Sequence, residues 1–312
     1  MAIKNQEVTD EYAIYNGDCV DLMKTLPPGK IGLCIFSPPF ANLYSYSDSP
    51  RDMGNCKTYD EFFTHFDYVI AGIKKIMMPG RIVAVHCIDI PAMKERDGYI
   101  GLKDFPGDLV KAFQKQGFVY HSKHVIWKDP LIEAVRTKAI GLAHKQLCKD
   151  SSKCRAGLPD YLIAFRQEGE NKIPIKHGKG MKTYCGSSDP GGEGVKRGHN
   201  IWRRYASPVW MDIRQTRTLN YRAAREPEDE KHLCPLQLDV IERACVLWSN
   251  PGEVVFTPFM GVGSECYGAV INDRKAVGVE LKTSYYNQAV KNMKDAVRSR
   301  VEQGDLFSGE EI

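Results

Sequence analysis

Ser37-Pro38-Pro39-Phe40 is the stretch of this chain best equipped for chemistry. Two successive prolines remove two N–H donors and hold the backbone stiff and extended, so the carbonyls here are not used up in a sheet ladder. A hydroxyl, outward carbonyls and an aromatic ring are thus presented together. A second set lies near residue 260. Gly261 and Gly263 sit in the turn Pro258-Phe-Met-Gly-Val-Gly-Ser264, and Glu280 closes the apolar run that begins at Ala276. Glycines let the backbone turn tightly and approach a ligand, and a strand-end acid can accept bonds from two ribose hydroxyls. Taken singly, each set has a plainer reading: a proline-rich turn with a buried Phe, and an ordinary strand-to-helix turn.

The elements that must position these residues follow from periodicity. Ile31 to Phe36 reads as a buried strand ending at Ser37, and the carboxyl edge of such strands is where open α/β sheets bind ligands. Val20 to Leu26 is helix-like, and Pro27-Pro28-Gly29 breaks it. Thr58-x-x-Glu61 is a capping box opening a helix with Phe62, Phe66, Val69, Ile73 and Ile76 on one face, with Pro79-Gly80 expected to end it. Strands are expected at 81–87, 118–127, 160–166, 253–257 and 276–280, and helices at 106–116, 235–248, 265–271 and 285–298. Residues 41–55 read as a long loop, and 128–159 carry no assignable pattern. The alternation argues for an α/β fold with a mostly parallel sheet.

The strand, Gly-rich turn, helix, strand and terminal acid near the end of the chain make a nucleotide-binding half-unit. Position 266 is Cys, where a dinucleotide fingerprint needs glycine. Only one helix follows Glu280, so the neighbours of this central unit must come from earlier in the chain, and the sheet is expected to be circularly permuted.

Composition narrows the class. The chain has 312 residues, 43% of them hydrophobic, which allows a sizeable core. The first ten residues have no apolar signal segment, and no run approaches a membrane span. The ten cysteines show no C-x-x-C pair and the eight histidines no metal-binding cluster, so a cytoplasmic protein without a metal is expected. The net charge of +4 is uneven: residues 172–225 hold twelve Lys/Arg against three Asp/Glu. Trp202, Tyr205, Trp210 and Tyr221 interleave with those charges. This suggests a nucleic-acid partner, although a solvated surface insertion has the same composition.

Together these motifs resemble the DNA amino-methyltransferases of the β class, in which the catalytic motif comes first, a target-recognition insert follows and the cofactor motifs come last. Ser37 to Phe40 resembles their Asp/Asn/Ser-Pro-Pro-Tyr/Phe motif, and serine first is typical of the cytosine-N4 enzymes. Phe256 to Ser264 resembles their Asp-Pro-Phe-x-Gly-x-Gly-Thr, with Thr257 where Asp is usual. Lys231-His232 and the helix after it resemble the motif that precedes the cofactor turn.

The resemblance implies a Rossmann-like class I S-adenosylmethionine-dependent sheet, circularly permuted, with an irregular insert. Residues 1–166 and 231–298 would form the catalytic domain, 167–230 the target-recognition insert and 299–312 a flexible tail. Ser37 and the Pro38 carbonyl would accept hydrogen bonds from the target amino group. Pro39 would stiffen the turn, and Phe40 would stack on the base. Asp18, Thr257, Phe259, Gly261, Gly263 and Glu280 would hold S-adenosyl-L-methionine. The partner would be double-stranded DNA, touched by Arg203, Arg204, Arg214 and Arg217, with the target base flipped out. An adenine-N6 enzyme of the same fold is the alternative, and an RNA or protein-glutamine methyltransferase a more distant one. Gln303-Gly-Asp-Leu306-Phe307 resembles the peptides that dock on bacterial sliding clamps, although the two apolar residues could equally cover the last helix.

Overall fold

The computed structural model describes residues 3–39, 52–92, 94–137, 143–153, 156–177, 181–183, 196–220 and 235–308, with side chains described as far as 302. Its strands, in chain order, are β1 (Asn5–Val8), β2 (Tyr12–Asn16), β3 (Ile31–Phe36), β4 (Met77–Cys87), β5 (Ile90–Ala92), β6 (Gly101–Lys103), β7 (Val119–Ile126), β8 (Asp160–Arg166), β9 (Val209–Trp210), β10 (Val254–Thr257) and β11 (Lys275–Glu280). All but the β5–β6 hairpin form one sheet in the order β1-β2-β11-β10-β3-β4-β8-β7-β9. The five strands β2, β11, β10, β3 and β4 run parallel, while β8 and β1 are antiparallel to their neighbours β4 and β2. β3 lies near the middle of the sheet. All six of its residues are buried, as expected of a strand covered on both faces.

Alternate residues of β3 feed two cores. Cys34 and Phe36 pack with α1 (Cys19–Thr25), α2 (Tyr59–Ile76) and α4 (Phe105–Lys115). Leu33 and Ile35 pack on the opposite face with α8 (Leu238–Trp248), α9 (Ser264–Ile271) and α10 (Thr283–Ser308). The remaining helices are α3 (Lys94–Asp97), α5 (Pro130–Thr137), α6 (Ala143–Lys149) and α7 (Lys196–Ala206). No helix among the described residues is long and apolar enough to cross a membrane.

The chain leaves β3 through α2 to reach β4 on one side. It leaves β10 through α9 to reach β11 on the other. Because those connections diverge, a crevice opens between the carboxyl ends of β3 and β10, the topological switch point where such sheets bind ligands. The strand order is circularly permuted, with β3 ahead of β10 in the chain but beside it in the sheet.

At the opposite edge a buried ion pair ties the central strands together. Arg81 of β4 is fully buried and binds the Glu253 carboxylate, just before β10, and the Ile173 carbonyl at 3.0 Å. The pair arches over β3 at Gly32, where an added Cβ would meet Glu253 Oε2 at 2.8 Å. A glycine in the middle strand is what lets the flanking side chains meet.

Several elements differ from expectation. α2 ends at Ile76, and Pro79-Gly80 lies inside β4 instead of closing the helix. This is tolerable because the β3–β4 ladder is irregular between Ile31 and Leu33, and the regular pairing with β8 begins only at Ile82, so Pro79 removes no needed bond. Residues 128–159 contain α5 and α6. Met53–Asn55, within the expected loop, forms a short 3-10 turn with Met53 buried, and residues 41–51 of that loop lie outside the described residues. α10 runs on to Ser308, past the expected end at Arg298, while the side chains of Gln303, Leu306 and Phe307 lie outside the described residues. β9, from the expected insert, joins the edge of the main sheet against β7.

Candidate active site

Glu280 ends β11 and organises the glycine turn. Its Oε2 accepts from the Gly261 N–H at 2.8 Å and its Oε1 from the Lys282 N–H at 2.7 Å. Each oxygen keeps a further lone pair. The Asn16 side-chain amide and the Gly17 N–H both donate to the Glu280 carbonyl, which pins the end of β2 against the end of β11. Asp18 follows directly and caps α1, accepting from the Asp21 N–H. Gly261 and Gly263 have φ of +54° and +93°, a region that L side chains rarely enter, and Gly263 opens α9. The Phe259 ring lies 5.7 Å from that of Phe36, joining the turn to the last residue of β3. The six residues expected to hold the cofactor therefore lie at or just beyond the carboxyl ends of β2, β10 and β11, neighbouring strands of the sheet.

This cradle fits S-adenosylmethionine on its own chemistry. Thr257 Oγ1 and Ser264 Oγ are buried without a partner among the described residues, as hydroxyls awaiting a ligand would be. Acidic groups lie around these strand ends, and a bound sulfonium cation would favour their ionised forms. Burial pushes Glu280 up to about 7, with Asp52 adding to the rise against the two N–H donors, and burial beside Glu280 pushes Glu265 up to about 8.

Both carboxyls keep protons over a range in which the unfolded chain has lost them. Their contribution to stability is present below the ordinary glutamate value and is lost as pH rises through about 7 and 8. Glu280→Gln removes that charge at pH 8.5 but turns its amide NH2 toward the N–H of Gly261 or Lys282, so its net effect on stability there should be within about 1 kcal/mol. If Glu280 binds the cofactor as the resemblance implies, the variant should also weaken cofactor binding by about 10–100-fold. Thermal unfolding and calorimetric titration measure the two effects, and unchanged affinity would remove Glu280 from the cofactor site.

At the end of β3, Ser37 Oγ lies 2.9 Å from His86 Nδ1 on β4. His86 Nε2 lies 3.2 Å from Asp160 Oδ2 at the start of β8, and Lys128 pairs with the other Asp160 oxygen. Burial opposes ionisation of Asp160, but His86 and Lys128 outweigh it and hold the carboxyl below the usual carboxylate range. Sequence reasoning missed this chain of contacts. Its one signal was a histidine inside the apolar run of β4. Pro38 is buried and Pro39 half-buried, while Phe40 lies outside the described residues.

A family model for DNA methylases matches residues 31–291. This chain belongs to the N6/N4 family of DNA methylases. The type II methyltransferase M.BglII of Bacillus subtilis is 24% identical to the methylase over 287 residues, 88% of this chain and 67% of that protein. The cytosine-N4-specific PvuII DNA methyltransferase superposes with a TM-score of 0.62 at 15% identity, over 96% of this chain and 97% of its own. TTHA0409 of Thermus thermophilus, in complex with S-adenosyl-L-methionine, superposes with a TM-score of 0.61 at 19% identity, over 92% and 96%. The fold is that of the class I S-adenosylmethionine-dependent methyltransferases, and the methylase depends on this cofactor.

The four arginines expected at DNA are mostly engaged elsewhere in the methylase. Arg214 and Arg217 bind Asp239 on α8, and Arg217 also reaches Glu242. Arg204 pairs with Asp212 at 2.7 Å, whereas Arg203 donates to Asn200 and meets no carboxylate among the described residues. The expected nucleic-acid aromatics divide as well. Trp210 is buried between the His124 ring, 4.5 Å away, and the Arg243 guanidinium, 4.7 Å away. Tyr205 is also buried, Trp202 is 69% exposed, and Tyr221 lies outside the described residues, as do Lys231 and His232. Among the described residues no cluster of His, Cys, Asp and Glu is set to hold a metal ion.

Proposed function

We propose that the methylase transfers a methyl group from S-adenosylmethionine to the exocyclic N4 of cytosine in duplex DNA, with the base flipped into the crevice. The observation that carries this reading is Ser37, a hydroxyl held by His86 at the switch point beside the cofactor cradle. The lone pair of an exocyclic amino nitrogen is delocalised into the ring, so it attacks poorly. Hydrogen bonds accepted by Ser37 Oγ and the Pro38 carbonyl draw the N–H groups out of plane and return the lone pair to nitrogen. The cofactor supplies a methyl group on a positively charged sulfur, so the protein mainly has to align the two reactants. Phe40 is placed by its position in the motif to stack on the base. An amino group stacked inside a duplex cannot reach this crevice, which is why flipping is part of the proposal.

Serine first in the motif favours cytosine over adenine. Incubating the protein with duplex DNA and labelled cofactor, then separating the digested nucleosides by mass, tests the reading. N4-methylcytosine is expected. N6-methyladenine alone would reverse the choice of base, and label in RNA or protein but not DNA would overturn the function.

For the DNA interface, Arg203 and the exposed Trp202 on α7 are the contacts we favour among those expected from the sequence. Arg203→Ala should weaken DNA binding across all sequences and lower the slope of log affinity against log salt by about 1. Arg214→Ala should leave that slope unchanged, because its charge is already matched by Asp239. Salt titrations of DNA binding distinguish the two, and equal slopes for both variants and the wild type would move the interface off α7.

A further inference from the structure

We propose that His86, braced by Asp160 and Lys128, orients the Ser37 hydroxyl as an acceptor and takes up the proton that the target amino group releases. This rests on the amino-methyl transfer proposed above and adds three residues to it. Ionised Asp160, 3.2 Å from Nε2 although not aligned to accept a hydrogen bond from it, favours through its charge the tautomer with the ring proton on that nitrogen. Nδ1 is then bare and can only accept. Ser37, 2.9 Å away, must donate its single O–H to it. Both remaining lone pairs of Oγ are left to face the crevice, the polarity needed to receive an amino N–H.

The same line of atoms gives the proton a way out. When the amino nitrogen takes the methyl, the new N–C bond forms and the C–S bond breaks, with its electron pair remaining on sulfur. The nitrogen, now positively charged, loses one proton to Ser37 Oγ while the Ser37 hydroxyl proton passes to His86 Nδ1. The imidazolium that results faces the Asp160 carboxylate and later gives its proton to water. The product is the neutral methylamino base.

Serine, histidine and aspartate in this order also serve acyl transfer, where serine is the nucleophile. Here the residues after Ser37 argue against that use. Pro38 and Pro39 have no N–H, so they cannot supply the donors that an oxyanion would need at this turn. The arrangement suits proton handling. Among the described residues, the titratable groups near His86 on neighbouring elements are Asp160 on β8 and, bound to it, Lys128 after β7. Farther along the same edge Asp89 and Tyr161 bind each other at 3.1 Å.

The test is single-turnover methyl transfer to duplex DNA by the full chain, followed across pH, with cofactor affinity and thermal unfolding measured on the same samples. His86→Asn keeps an acceptor near the position of Nδ1 but cannot take a proton, whereas His86→Phe removes both functions. We expect His86→Phe to slow transfer by about 100-fold and His86→Asn by about 10-fold, within the range of general-base effects. Both should bind the cofactor as the wild type does. The wild-type rate should fall toward acid pH, and the Asn variant should lack that fall. Asp160→Asn should also slow transfer and shift the acid limb. Wild-type rates and pH profile in His86→Asn would overturn the proposal. So would a loss of rate in the His86 and Asp160 variants that only follows lost cofactor binding or lost stability, since His86 would then belong to the scaffold. A wild-type protein that moves no methyl to DNA would instead sink the underlying function.

Discussion

Ser37→Ala should cut methyl transfer by about 100–1,000-fold, roughly 3–4 kcal/mol of barrier, while leaving the affinity for S-adenosylmethionine unchanged. The hydroxyl does not belong to the cradle formed by Gly261, Gly263 and Glu280; its one described partner is His86. The substitution removes the acceptor aimed at the amino group and also the link through which His86 acts. Rapid-quench measurement of the first turnover, beside equilibrium cofactor binding, checks both halves. A rate within a few fold of wild type would mean that the Pro38 carbonyl alone holds the base. Weakened cofactor binding would mean that the two sites are not separable.

The second large effect concerns stability. Arg81→Met should lower the free energy of unfolding by about 3–5 kcal/mol, because it leaves the Glu253 carboxylate beside an apolar side chain at the edge of the core. Asn250 still donates to Glu253 through its backbone and side-chain N–H groups, which favours the lower part of that range. The pair sits at the strand ends opposite the crevice, so cofactor affinity should hold at temperatures where the variant is folded. Chemical denaturation checks this. A loss below about 1 kcal/mol would show that the pair's attraction barely exceeds the cost of burying it. The double variant Arg81→Met, Glu253→Met should recover part of the loss, since it leaves no charge unmatched.

Much of the fold could be read from periodicity. β3, β8, β10, β11 and the helices α2, α4, α8 and α9 fall within a few residues of the runs that suggested them, because strands buried on both faces write themselves as unbroken apolar segments. β2 escaped notice although Tyr12, Ile14 and Asn16 alternate as buried positions, since five residues between polar neighbours give a weak signal. Pro79-Gly80 misled because proline ends helices far more often than it sits inside a strand, and the irregular ladder that admits it is a tertiary fact.

The crevice divides in the same way. Ser37 and Glu280 stand in recognisable local patterns. His86 and Asp160 come from separate strands and share no spacing with Ser37, so only the register of β3, β4 and β8 brings them into line. The basic segment was ambiguous for another reason. An arginine beside an aromatic reads alike whether it stacks inside, as Arg243 does on Trp210, or waits for a base outside.

The meeting of β2 with β11 has a bearing on how the molecule is made. Asn16 lies opposite Glu280 in the ladder and bonds to its carbonyl, a contact spanning 264 positions of chain. On the ribosome, β2 must therefore wait for nearly the whole polypeptide before its parallel neighbour exists, and its unpaired edge stays open in the meantime. A nascent or truncated chain that stops short of Glu280 already carries Ser37, His86 and Asp160 yet lacks the carboxylate that anchors Gly261. Translation delivers Ser37 and its partners first and the Gly261–Glu280 turn last, so under the proposed reaction a fragment released early would lack its cofactor cradle.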